Sequence, residues 1–85
     1  MAELEVGTVK NFFAKPSVAV IEIVGEEVQI GDTLWFKGHT TDFKHQVESM
    51  QEEQQTLTRA VKGQLVGIKV TERVREKDRV YKVVE

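Results

Sequence analysis

Eighty-five residues with no cysteine and a formal net charge of −2 are expected to form one domain, residues 1–85, held by packing and sheet hydrogen bonds, because no disulfide framework or thiolate metal site is available. The opening Met1-Ala2-Glu3-Leu4-Glu5 is acidic where a secretory leader is basic, and no apolar run approaches the ~18 residues of a membrane span. A cytoplasmic protein with no membrane partner is the resulting expectation.

Leu4 to Phe13 is rich in β-branched and aromatic residues and reads as a first strand, with Gly7 as its bend point. Ala14-Lys15-Pro16 ends it, since proline lacks the amide a ladder needs. Val18 to Val24 is a second strand, apolar on both faces apart from Glu22, and a strand of that kind belongs in the interior of a sheet. Gly25-Glu26-Glu27 and Gly31-Asp32 are turns on either side of the apolar pair Val28 and Ile30. Thr33 to Lys37 is the third full strand, with Leu34 and Phe36 on one face and Trp35 on the other. Gly38 to Asp42 is a polar loop.

Residues 43–58 satisfy two patterns. Val47, Met50, Gln54, Leu57 and Val61 recur at helical spacing, and Glu52-Glu53-Gln54-Gln55 has good helix propensity. A strand from Phe43 to about Gln51, with a bulge to reconcile Val47 with Met50, competes with the helix. The densest positional information lies in Ala60 to Val70, where Gly63 is the natural place for a positive φ. After it Val66, Ile68 and Val70 share one face of a strand, and Leu65, Gly67 and Lys69 the other. Gly67 inside that strand marks a bulge, a bend or a close approach by another backbone. Thr71 to Lys77 is a charged connection and Arg79 to Val84 a closing strand. Short strands punctuated by glycine turns suggest a small barrel or sandwich.

Charge is unevenly placed: residues 1–58 sum to −6 and residues 59–82 to +5. The basic set Arg59, Lys62, Lys69, Arg73, Arg75, Lys77 and Arg79 is the best candidate binding surface, and on an extended connection Arg73, Arg75 and Lys77 would form a ridge suited to phosphate. Local pairing with Glu72, Glu76 and Asp78 would instead leave surface ion pairs with no net field. Trp35, Phe12, Phe13 and Phe43 could stack bases beside such a ridge, although aromatic residues in so small a barrel usually fill the core. His39, Asp42 and His45 would offer three ligands to a divalent ion only if the loop curled round it. Histidines there are more often exposed or bonded to backbone, so no metal or other cofactor is expected. Ser17 and Ser49 lack a nucleophile-elbow context, and Glu48, Glu52 and Glu53 read as a solvated face, so no enzyme is expected.

Four motifs in order, Val6-Gly7-Thr8-Val9, Val28 to Leu34, Val47-Glu48-Ser49-Met50 and Ala60 to Ile68, resemble the second-domain β-barrel of elongation factor Tu and other translational GTPases. The resemblance is closest to short stand-alone elongation-factor-like proteins and to the barrel appended to collagenase-like peptidases and related RNA-modifying enzymes. It implies an all-β fold, a small closed six-stranded antiparallel barrel, and it tips residues 43–51 towards strand. None of the six glycines is followed by the lysine and hydroxyl residue of a phosphate loop, so no nucleotide partner is expected. A binding module is implied. Its partner would be RNA or a ribonucleoprotein, reached through the basic C-terminal surface, or alternatively an enzyme such as a collagenase-like peptidase, anchored by Phe12, Phe13 and Trp35. The position of those rings discriminates: an exposed apolar patch favours protein, and buried rings beside an arginine ridge favour RNA.

Overall fold

The computed structural model describes residues 2–53 and 55–84. Its strands are β1 (Ala2–Phe13), β2 (Val18–Ile23), β3 (Val28–Gln29), β4 (Thr33–Lys37), β5 (Asp42–Gln46), β6 (Met50–Glu52), β7 (Gln55–Leu57), β8 (Arg59–Ala60), β9 (Leu65–Lys69) and β10 (Arg79–Val84). Eight of them form one sheet in the order β5-β4-β10-β1-β2-β9-β6-β7, and β3 pairs with β8 in a two-stranded ladder. Every pairing is antiparallel. The all-β antiparallel architecture is as expected, but it uses ten strands where six were expected. Among the described residues no single ladder runs all the way round. The edges β5 and β7 are spanned by segment 28–32, which exchanges main-chain bonds with Val47 on one side and bonds to the Thr58 carbonyl on the other.

β1 shows how the sequence bends the sheet. Its first half pairs with β10 and its second with β2, with register shifts between Glu5 and Gly7 on one side and between Val9 and Asn11 on the other. Each bulge inserts a residue and bends the strand. In this way Val6 and Val9, an odd spacing apart, both reach full burial. Gly7 sits at the first bulge, where a Cβ would overlap the Glu22 carbonyl of the adjacent strand. The close approach expected at Gly67 is therefore at Gly7. Around Gly67 the β2–β9 register is unbroken, and a Cβ would meet the Val18 side chain at 3.0 Å and the Gln51 carbonyl at an ordinary 3.8 Å.

Gly63 has φ +96 and Gly31 φ +97, so both turns use the conformation that glycine adopts without cost. The core holds Val6, Val9, Ile21, Ile23, Leu34, Phe36, Met50, Ile68 and their neighbours in one cluster. Phe43 belongs to it, stacked on Phe36 with ring centroids 5.0 Å apart, and so is not a base-stacking surface residue.

Residues 43–58 contain no helix among those described. The strand expected over 43–51 is split: β5 ends at Gln46, the chain crosses at 47–49, and β6 begins at Met50 against β9. Val47 and Met50 are both buried because they belong to opposite ends of this crossing, not because a bulge corrects one strand. Gln54, one position of the helical pattern, lies outside the described residues. Among the described residues no helix is long and apolar enough to cross a membrane.

Candidate functional site

The seven cations expected to form one surface are exposed but lie in separate places. Arg59 on β8 pairs with Glu27, its Nε 2.8 Å from Oε2. That oxygen is buried and has no aligned hydrogen bond, so the contact is a charge pair off the N–H axis. Arg79 pairs with Glu5 across the β1–β10 ladder at 3.5 Å. Lys62 lies in the turn ahead of β9 and Lys69 at the far end of that strand, opposite Val18.

Arg73, Arg75 and Lys77 remain close together, although not as the straight ridge that an extended connection would give. Val74 between the arginines is buried. The Arg75 amide donates to Asp78 Oδ2 at 2.8 Å and the Asp78 amide to the Arg75 carbonyl, which closes a turn in which Lys77 takes φ +73. The Lys77 amide in turn donates to the Val9 carbonyl. The turn redirects the chain between Arg75 and Lys77 and lays it along β1. A concavity of about 290 Å³ lined by Asn11, Phe12, Arg73, Val74, Arg75 and Glu76 results, next to one of about 450 Å³ that includes Thr8, Lys10, Lys77 and Arg79. Among the described residues, Arg73, Arg75 and Lys77 have no ion-pair partner, while Lys10 is 3.3 Å from Glu22. Of the β1 residues here, Phe12 was anticipated beside the ridge, whereas Thr8 and Lys10 were invisible in the sequence, because contact between β1 and loop 71–78 joins the two ends of the chain.

The aromatic residues separate by face. Trp35 and Tyr81 lie opposite each other on β4 and β10, with ring centroids 5.8 Å apart and tilted 44°. The Trp35 indole N–H donates to Asp42 Oδ1 at 2.7 Å, and Lys37 and Lys44 lie over the indole at 4.9 and 6.0 Å. Asp42 is thereby engaged, and it is on the opposite face of β5 from His45 because side chains alternate. The His39, Asp42, His45 set does not converge. Among the described residues no three His, Asp or Glu side chains gather as a metal site would require.

A second surface lies on the outer face of β2. Phe13, Val18, Val20 and Leu65 point outward along β1, β2 and β9, with Gly67 opposite Val20. Pro16, Val18, Ser49, Gln51, Gly67 and Lys69 line a dent of about 310 Å³ there. The rings divide: Phe13 is exposed on the apolar face, while Phe12 and Trp35 are half-buried, Phe12 in the hollow it shares with Arg73 and Arg75.

No protein-family model matches the chain. It is 43% identical over 84 residues, 98% of its own length, to an uncharacterised protease of Methanocaldococcus jannaschii. It is 38% identical over 81 residues to a collagenase of Porphyromonas gingivalis. The chain is similar to one module of peptidase-named proteins. It spans about a fifth of the length of these curated relatives. Among solved structures, the crystallised C-terminal domain of a Geobacillus thermoleovorans chain described as a U32 peptidase superimposes with a TM-score of 0.86 at 21% identity, covering 93% of this chain and 91% of that one. At that identity the likeness establishes a shared fold.

Proposed function

We propose that this chain is a non-catalytic binding module that works with the catalytic unit of a U32-peptidase-like or collagenase-like protein. One observation carries this: nearly the whole chain aligns, at 38–43% identity, with a segment making up one fifth of proteins named as proteases and collagenases. Every relative described above bears a peptidase name, which supports the enzyme-docking arm of the sequence expectation and gives the translation-factor and RNA arm no support. The outward chemistry of the fold fits the same role. It offers an apolar strip along β2 and neighbouring cations at Arg73 and Arg75 as surfaces for a partner.

The test is a segment exchange in the P. gingivalis collagenase. Replacing its matching segment by this chain is expected to preserve collagen hydrolysis, while deleting the segment lowers it and the isolated 85 residues hydrolyse nothing. A chimera no better than the deletion, or hydrolysis by the isolated chain, would sink the proposal.

A further inference from the structure

We infer that the outer face of β2, with its flanks on β1 and β9, is the surface by which this module packs against the body of a peptidase-like protein. This deepens the function proposed above and rests on it. β2 is apolar on both faces apart from Glu22 on the outer one, and strands of that composition are normally covered on both sides. Its inner residues Ala19, Ile21 and Ile23 are fully buried in the core. On the other side Val18, Val20 and Glu22 point outward, Val24 is exposed just past the strand's end, and among the described residues no helix or second sheet lies over them.

The neighbouring strands extend the same surface. Phe13 is paired with Val18 and Leu65 with Glu22. Both are 50% exposed and Val24 is 42% exposed. These are three of the six large hydrophobic residues left exposed among the described residues, and they fall on one stripe. Gly67 supplies no side chain at its centre, so the stripe carries a dent between Val18 and Gln51 that would accept an apolar knob. β1, β2 and β9 are the fourth to sixth strands of the eight-stranded sheet. The stripe therefore stands on the most heavily paired backbone of the fold, as an anchoring surface should.

The occupant follows from the chain lengths. In the curated relatives the matching module is one fifth of the polypeptide, so a body about four times its size is covalently available at high effective concentration. The charges at the rim define that body's surface. Lys69 stands at the Phe13 end, where it has no ion-pair partner among the described residues, while Glu22, between Val20 and Val24 and opposite Leu65, is already held by Lys10. A complementary surface is apolar at its centre and carries a carboxylate opposite Lys69.

The absence of cysteine makes this directly testable. Single cysteines are introduced on the face as Phe13→Cys, Val20→Cys and Leu65→Cys, and away from it as Lys44→Cys and Arg73→Cys. Each is placed in the isolated chain and in the full-length collagenase chimera, and thiol labelling is followed by peptide mass spectrometry. Circular dichroism of each isolated variant checks that it folds, and the three face positions serve as replicates of one another. The expected result is rapid labelling at all five positions in the isolated chain. In the chimera, labelling at the three face positions should slow more than tenfold, with Lys44→Cys and Arg73→Cys unchanged. Protection confined to the off-face positions would overturn the assignment of this face while leaving the module docked. Equal labelling everywhere would overturn both this inference and the function it rests on. Face protection already present in the isolated chain, together with a doubled mass in light scattering, would identify a second copy as the occupant and overturn the inference.

Discussion

At the residue scale, the glycines separate what local pattern encodes from what tertiary contact decides. Gly63 follows Val61 and Lys62 in a turn, and its φ of +96 could be anticipated from the turn alone. Gly7 and Gly67 both interrupt strands and look equivalent in the sequence, yet only at the first would a Cβ overlap a neighbouring carbonyl. Gly7→Ala should therefore destabilise the fold by about 3 kcal/mol, because a backbone atom must move to admit the methyl group. Gly67→Ala should remain within about 1 kcal/mol of wild type in either direction. The Val18 methyl can shift, and alanine offsets the entropic cost of glycine in a strand. Urea unfolding of the two variants gives the comparison, and equal losses would show that the bulge in β1 does not set the approach.

At the scale of elements, strands joined to their sequence neighbours by short turns were legible, and those that change partner were not. The run Val47, Met50, Leu57 mimics a helical stripe because the three residues lie respectively just past the end of β5, at the start of β6 and at the end of β7. The burial of Val47 and Met50 and the half-burial of Leu57 come from a crossing, and no local period represents a crossing. The pairing of β3 with β8 was missed for a related reason: each strand is two residues long and has too few positions to show alternation. Loop 71–78 combines both effects. Its charge alternation suggested a ridge, but burial of Val74 and the turn closed by Asp78 bend it along β1. Asp78→Ala leaves the Arg75 amide without its acceptor, an expected loss of about 1–3 kcal/mol. Amide exchange at Arg75 to Lys77 should also accelerate more than in β2. Unchanged exchange there would mean that the bond to the Val9 carbonyl alone holds the turn.

For the whole molecule, the seam between the edges β5 and β7 is held from the far end of the chain. The Lys82 side chain is 15% exposed, and its Nζ donates to the Glu27 carbonyl at 3.0 Å and lies 3.6 Å from Asp32 Oδ2. Lys82→Met keeps the stem and removes the charge, so it should cost about 1.5–3 kcal/mol. Because the group is screened from solvent, that loss should change little between low and moderate salt. A loss below 0.5 kcal/mol, on the order of an exposed pair, would show that the two-stranded ladder closes the seam unaided. The same map of charges bounds what the basic C-terminal third can do with a polyanion. Charge counting along the sequence treats seven cations as one surface, and if all seven engaged single-stranded RNA, log affinity would fall with log salt at a slope of about −5. The fold holds Arg59 and Arg79 in ion pairs and sends Lys62 and Lys69 to opposite ends of β9. Arg73, Arg75 and Lys77 are left as the one group of neighbouring cations without ion-pair partners among the described residues. Three phosphate contacts give a slope of about −2, so whatever binding a labelled oligonucleotide shows between 50 and 200 mM salt, chosen as about the range over which counterion release is usually read, should be weak and shallow. Arg73→Glu with Arg75→Glu should abolish it, while Lys62→Glu leaves it unchanged. A slope near −5, or sensitivity to Lys62→Glu, would mean that the cations act together over a path the fold does not display.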